Sequence, residues 1–155
     1  MSTATTLVID STNLDATLSL GAKLGRNLRG GELVELISDL GGGKTTLVRG
    51  LARGAGAKDG VASPTFTISR VYQSLIGKIY HYDFYRLNEA GIMADELAES
   101  LDDLAAVTVI EWSDIVKNRL PKDRLRVRIS VTGENARRFE LSAGVRHQHL
   151  LRNLS

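Results

Sequence analysis

Ser38-Asp39-Leu40-Gly41-Gly42-Gly43-Lys44-Thr45-Thr46, written SDLGGGKTT, lies between a short apolar run and an amphipathic one. Gly43-Lys44-Thr45 carries the G-K-[ST] core of a phosphate-binding P-loop. Three successive glycines leave the backbone open, so that consecutive N–H groups can turn inward around anionic oxygens. A helix starting near Lys44 aims its N-terminal N–H groups and partial positive charge at the same place. Lys44 supplies a flexible point charge, and the Thr45 hydroxyl is the type of ligand that Mg²⁺ accepts among its waters. The full pattern begins with Gly, and Ser38 stands there instead. A left-handed Ser costs roughly 1–2 kcal/mol, so either the turn is adjusted or that cost is carried. The competing interpretation is a glycine turn before a helix with a chance Lys-Thr. The neighbouring sequence decides against it: residues 32–37 read as a strand, and Leu47, Val48 and Leu51 form one face of a helix ending near Gly54.

The chain of 155 residues has the length of one domain, with residues 1–144 as the α/β domain and 145–155 as a tail whose order the sequence leaves open. A hydrophobic fraction of 43% with 25% charged residues is ordinary for a globular protein. With no cysteine, disulfides, thiolate metal sites and cysteine nucleophiles are excluded. No apolar run reaches the length of a membrane span. The N-terminal residues lack a basic segment followed by a long apolar one, so a cytoplasmic location is expected. Net charge is only +2, yet it is unevenly placed. Residues 1–116 hold ten basic and fifteen acidic side chains, residues 117–155 ten and three. A solvated basic face and a docking surface for RNA or an acidic partner fit that asymmetry equally.

Residues 6–9 read as a first strand. Thr12 and Asp15 suggest a capping box before a helical stripe of Leu14, Leu18, Leu24 and Leu28, stopped by Gly30-Gly31. Residues 66–72 and 78–85 read as two strands joined by a hairpin at 74–77, hence antiparallel. Residues 88–104 read as a helix with Leu97, Leu101 and Leu104 on one face. Residues 105–110 form an apolar run suited to a central strand. Ser113 caps a short helix ended by Pro121. Leu125, Val127, Ile129 and Val131 alternate with polar residues, and residues 138–143 return as a hairpin partner. The fold expected is α/β: a single-domain P-loop NTPase with a mixed parallel and antiparallel sheet flanked by helices.

A P-loop needs a carboxylate near Mg²⁺, commonly where an apolar strand ends. Glu111 follows the most apolar strand, and Asp83 follows another; an ordinary surface carboxylate is the alternative for each. His81 reads as a packed or half-exposed histidine rather than a base. His147 and His149 have a spacing that rarely binds metal.

Taken together, the P-loop, Ser63-Pro64-Thr65-Phe66-Thr67, Tyr80-His81-Tyr82-Asp83-Phe84-Tyr85-Arg86-Leu87 and Glu111-Trp112 resemble the bacterial TsaE (YjeE-type) ATPases, which serve threonylcarbamoyl-adenosine modification of tRNA. Order, spacing and length match over nearly the whole chain. The resemblance implies that Leu40, Gly41, Gly42, Gly43, Lys44, Thr45 and Thr46 hold the phosphates of ATP or ADP. It implies that Thr45 and Glu111 bind Mg²⁺, and that Asp83 stands near the metal or the attacking water, with Lys44, Asp83 and Glu111 as the catalytic set. It makes Ser63, Pro64 and Thr65 a switch segment and places Leu14 and Thr132 near the base. Trp112 would pack and sense the nucleotide. No arginine finger is evident, although Arg86 is possible by position. Slow turnover alone and stimulation by a partner are therefore expected. By resemblance that partner is the TsaB–TsaD complex, with tRNA reached through it and neither DNA nor membrane involved. A small-molecule kinase and a nucleotide-gated docking module are the alternative classes.

Overall fold

The computed structural model describes residues 4–38, 43–58, 69–84 and 91–154, with backbone alone at 92, 93, 115 and 117. Among the described residues seven strands form one sheet: β1 (Thr5–Ser11), β2 (Leu33–Ile37), β3 (Ser69–Ser74), β4 (Gly77–Asp83), β5 (Val107–Glu111), β6 (Leu125–Val131) and β7 (Arg137–Ala143). Their order is β1-β7-β6-β2-β5-β4-β3. β2 pairs in parallel with β5 and β6, and β4 with β5, whereas β3–β4, β6–β7 and β1–β7 are antiparallel. The sheet is mixed, as the short hairpin connections require. β5, with sequence VTVIE, is buried along its length, as expected for a strand covered on both faces.

Among the described residues three α-helices flank the sheet: α1 (Leu14–Asn27), α2 (Lys44–Gly54) and α3 (Ile92–Asp102). Helices α1 and α2 cover one face and join Val34, Leu36, Val107 and Val109 in the larger core. The other face gathers Leu33, Tyr82, Phe84, Leu97 and Ile110. α1 is capped by Asn13, whose Oδ1 accepts from Ala16 N at 2.8 Å. The expected cap, Thr12, lies one residue too early for that reach. α3 ends at Asp102, two residues before the expected end, whereas the expected start at 88 lies outside the described residues, and Leu104 beyond the helix is exposed. The short helix expected after Ser113 is instead two 3-10 turns, Ser113–Ile115 and Lys117–Arg119.

The two helices behind the glycine loop approach unusually closely. A Cβ added at Gly21 or Gly25 of α1 would collide with Leu47 O or Leu51 O of α2. A Cβ at Gly50 or Gly54 of α2 would collide with Leu18 O or Ala22 O of α1. Glycines four residues apart on both helices thus let backbone meet backbone, and the helix that begins at Lys44 is seated rigidly.

The residues after Ala143 form a 3-10 turn, Val145–Leu151, laid against β7 and α1. Leu150 and Leu154 enter the core, and Asn27 Nδ2 donates to Leu150 O and Arg152 O at 2.9 and 2.8 Å. The two histidines left unassigned in the sequence are anchors here. His149 Nε2 pairs with Glu32 at 2.7 Å. His147 Nε2 accepts from Leu33 N at 3.0 Å, so Nδ1 carries the proton and donates to Asp123 at 2.8 Å. No helix among the described residues is long and apolar enough to cross a membrane.

Candidate active site

The strand register brings the expected residues to one edge. β2, β5 and β4 run parallel, and Leu36 pairs with Glu111 while Glu111 pairs with Asp83. The carboxyl ends of these strands therefore lie side by side where the chain leaves β2 for the glycine loop, the position at which α/β sheets bind ligands. Leu40, Gly41 and Gly42 lie outside the described residues, as do the SPTFT stretch and Arg86. Gly43 is described, and its φ of 95° at the N-cap of α2 favours glycine. Ser38 is not left-handed: among described non-glycine residues only Trp112 and Asn153 have positive φ. The strain considered for a left-handed Ser38 does not arise.

Lys44 is the first residue of α2, with Thr45 and Thr46 half-buried after it. Its side chain folds back over the strand ends. Nζ donates to Ser38 O at 3.4 Å, lies 4.0 Å from Glu111 Oε1 and sits 4.4 Å from the centroid of the Trp112 ring. Trp112 has φ 57° and ψ 55°, a conformation uncommon for a bulky residue and typical of strained functional positions. Its backbone turns the chain directly after Glu111 and brings the indole over the ammonium.

Glu111 is 1% exposed. Its Oε2 meets His81 Nε2 at 2.5 Å. His81 is wholly buried, and its Nδ1 lies 3.3 Å from the Tyr72 hydroxyl. His81 pairs with Val109 in the sheet, which puts it diagonally beside Glu111 on the same face. The sequence left this histidine as packed or half-exposed; it is packed, and its partner Glu111, 30 positions away, carried no local signal. Asp83 is half-buried at the end of β4.

On the opposite face, Glu35 is also buried. It accepts from Ser113 Oγ at 2.5 Å and from Nε of Arg124 and Arg126 at 3.0 Å each. Burial pushes the Glu35 carboxyl up, but the Ser113 hydroxyl and the two guanidiniums outweigh it and leave the group below its ordinary value. This network fixes the turn that follows Trp112. A groove of about 550 Å³ opens beside it, lined among others by Ser38, Trp112, Asp114, Arg128 and Ser130.

Leu14 and Thr132 flank the other side. Ser11, Arg137 and Val131 form one register row across β1, β7 and β6, so the start of α1 and the turn after β6 share that end of the sheet. Both residues are exposed. Arg137, which the sequence did not single out, has Nε 3.5 Å from where a Cβ on Gly43 would stand. Its Nη1 donates to the hairpin carbonyls of Gly133, Glu134 and Ala136 at 3.1, 3.3 and 2.8 Å. Much of the basic terminal region is therefore used internally: Arg124 and Arg126 serve Glu35, Arg137 serves its turn, and Arg138 pairs with Asp10 at 2.9 Å.

The oxygen donors present, Thr45, Asp83 and Glu111, suit a hard cation. Among the described residues no group of three or more His, Asp or Glu is arranged to hold a metal alone. Mg²⁺ beside phosphates needs only one or two protein oxygens, so the donor set fits it.

The fold, with α2 opening at Lys44 beyond the end of β2, is that of a P-loop α/β protein. A family model described as threonylcarbamoyl adenosine biosynthesis protein TsaE matches residues 11–139. A Streptomyces coelicolor protein named tRNA threonylcarbamoyladenosine biosynthesis protein TsaE is 47% identical over 115 residues, 71% of this chain and 76% of its own. The Bacillus subtilis protein of the same name is 34% identical, over 81% of this chain and 78% of its own. The crystal structure of Bacillus subtilis YdiB superposes with a TM-score of 0.76 at 27% identity, covering 97% of this chain and 95% of that one. The chain belongs to the TsaE family.

Proposed function

We propose that this protein is a Mg²⁺-dependent ATPase that supports threonylcarbamoyladenosine modification of tRNA. Family membership supports the pathway. The observation that carries the chemistry is the convergence of Lys44, Glu111 and Trp112 at the start of α2, beside Asp83 and the end of β2. The reaction breaks the bond between the γ-phosphorus and its bridging oxygen, with water as the nucleophile. In such transfers the protein mainly positions groups and stabilises charge. Mg²⁺, which Thr45 and Glu111 would hold, would supply neutralisation of the charge that develops on the phosphates. The chain's own residues do the rest. Gly43 and the first turn of α2 offer N–H groups to the phosphates. Lys44 leaves its resting contacts to meet the β- and γ-phosphates. Thr45 and Glu111 would hold the metal, and Asp83 would orient the attacking water. Leu14 and Thr132 would border the base.

The resemblance names the TsaB–TsaD complex as the partner, and turnover would reset that complex between rounds. The test is phosphate release from Mg²⁺-ATP with and without TsaB–TsaD. Slow release alone and a rise of at least tenfold with the complex are expected. Equal rates in both would overturn partner stimulation, and no release in either would overturn the ATPase assignment.

A further inference from the structure

We propose that His81 is a positioning residue for Glu111, an inference that rests on the nucleotide site described above. Among the described residues the Glu111 carboxylate has two partners, and they divide its oxygens. Oε2 is tied inward to His81 at 2.5 Å, while Oε1 faces Lys44 at 4.0 Å. An ionised carboxylate only accepts, so His81 Nε2 donates. Nδ1 lies 3.3 Å from the Tyr72 hydroxyl. Tyr72 is itself buried, 6.0 Å from the imidazole between ring centroids. The ring is thus fixed at both nitrogens.

His81 has no route to a bound nucleotide, because it is wholly enclosed beneath Glu111. Whatever it does for the site passes through that carboxylate. With Oε2 anchored, Glu111 presents Oε1 to the phosphate side. Without the anchor, Oε2 loses its donor and the carboxylate turns toward the ammonium. That would hold Lys44 in its resting place and withdraw a metal ligand. Partners that orient metal-ligating carboxylates commonly change affinity or activity by tenfold to a hundredfold when removed.

The test is Mg²⁺-ADP affinity by calorimetry across a Mg²⁺ series, in wild type, His81→Ala, His81→Gln, Glu111→Gln and the double variant His81→Ala/Glu111→Gln. Circular dichroism checks each fold. His81→Ala should need about tenfold or more Mg²⁺ for the same affinity. His81→Gln, whose amide nitrogen reaches as far as Nε2, should recover most of that loss. In the Glu111→Gln background, His81→Ala should change affinity less than twofold, because the residue acts through Glu111. Unchanged Mg²⁺ dependence in a folded His81→Ala protein would overturn the proposal, as would full additivity in the double variant. If His81→Ala does not fold, His81→Gln compared with His81→Asn decides, since the shorter amide cannot reach Oε2. Equal behaviour of those two would overturn the proposal. Wild-type protein that binds no Mg²⁺-ADP would instead reject the nucleotide reading, and this inference with it.

Discussion

Lys44 Nζ rests 4.0 Å from Glu111 Oε1, and both side chains are buried. The cation of the glycine loop and the acid at the end of β5 thus neutralise one another before any ligand arrives. Breaking a buried pair by removing one partner is costly, but here both groups have a second partner: Trp112 and Ser38 for the lysine, His81 for the glutamate. A triphosphate can therefore draw Lys44 away without stranding Glu111.

Lys44→Ala should consequently leave a folded protein that no longer holds nucleotide. We expect affinity for Mg²⁺-ADP to fall at least about a hundredfold, and the melting temperature to change by only a few degrees. Titration calorimetry and thermal denaturation on the same preparation check both. An unchanged affinity would show that the loop is not the phosphate site.

Trp112 is the chain's only tryptophan, and the ammonium lies 4.4 Å from its ring. Such cation–π contacts contribute on the order of 0.5–2 kcal/mol. When Lys44 turns to phosphate the indole loses that contact, so its fluorescence should change saturably with Mg²⁺-ADP. The change should vanish in Lys44→Ala. A signal that persists there would mean that Trp112 senses something other than the lysine.

The packing of α1 on α2 gives a prediction with an unusual sign. In a helix interior Gly→Ala normally stabilises by roughly 0.5–1 kcal/mol. At Gly25 and Gly54 the added methyl meets backbone of the facing helix, and overpacking costs about 1–3 kcal/mol. Gly25→Ala and Gly54→Ala should each lower the urea midpoint. A raised midpoint would contradict the close approach.

Acid should act through Glu35 and Asp123. Asp123 is pushed up by burial, yet the Arg146 backbone N–H and His147 outweigh that and hold it below its ordinary value. Glu35 is lowered despite burial. A carboxyl with a lowered pKa in the fold contributes stability above its unfolded value, and that contribution is lost as pH falls through the folded one. Stability should therefore hold above about pH 5 and decline below it. Glu35→Gln should destabilise by about 1–3 kcal/mol near neutrality, and its difference from wild type should shrink as pH falls below 4. Denaturation from pH 3 to 7 measures this. A difference that stays constant would show that the ionised carboxylate contributes nothing.

What the sequence made legible was whatever repeats locally. The buried run of β5, the alternation of β6 and the helix starting at Lys44 all found their places. Glu111 and Asp83 were recognisable because each ends an apolar strand, and the register sets them side by side. The long-range pairings around Glu111 and Glu35 were not legible. His81 reaches Glu111 across 30 positions, and Arg124 reaches Glu35 across 89; only the strand order brings them together. The glycines between α1 and α2 carried no such signal, since their purpose appears only against the other helix. Arg137 carried no local signal, and its place beside Gly43 follows from the β6–β7 turn.

The most direct test of the whole account is phosphate release from Mg²⁺-ATP by wild type and Glu111→Gln in the presence of TsaB–TsaD, with nucleotide binding measured on the same samples. We predict that both proteins bind, and that the substitution slows release by at least about a hundredfold, as loss of one charge-stabilising group commonly does. Equal release rates would contradict the account, because hydrolysis would then not depend on the carboxylate that Lys44 and His81 hold in place.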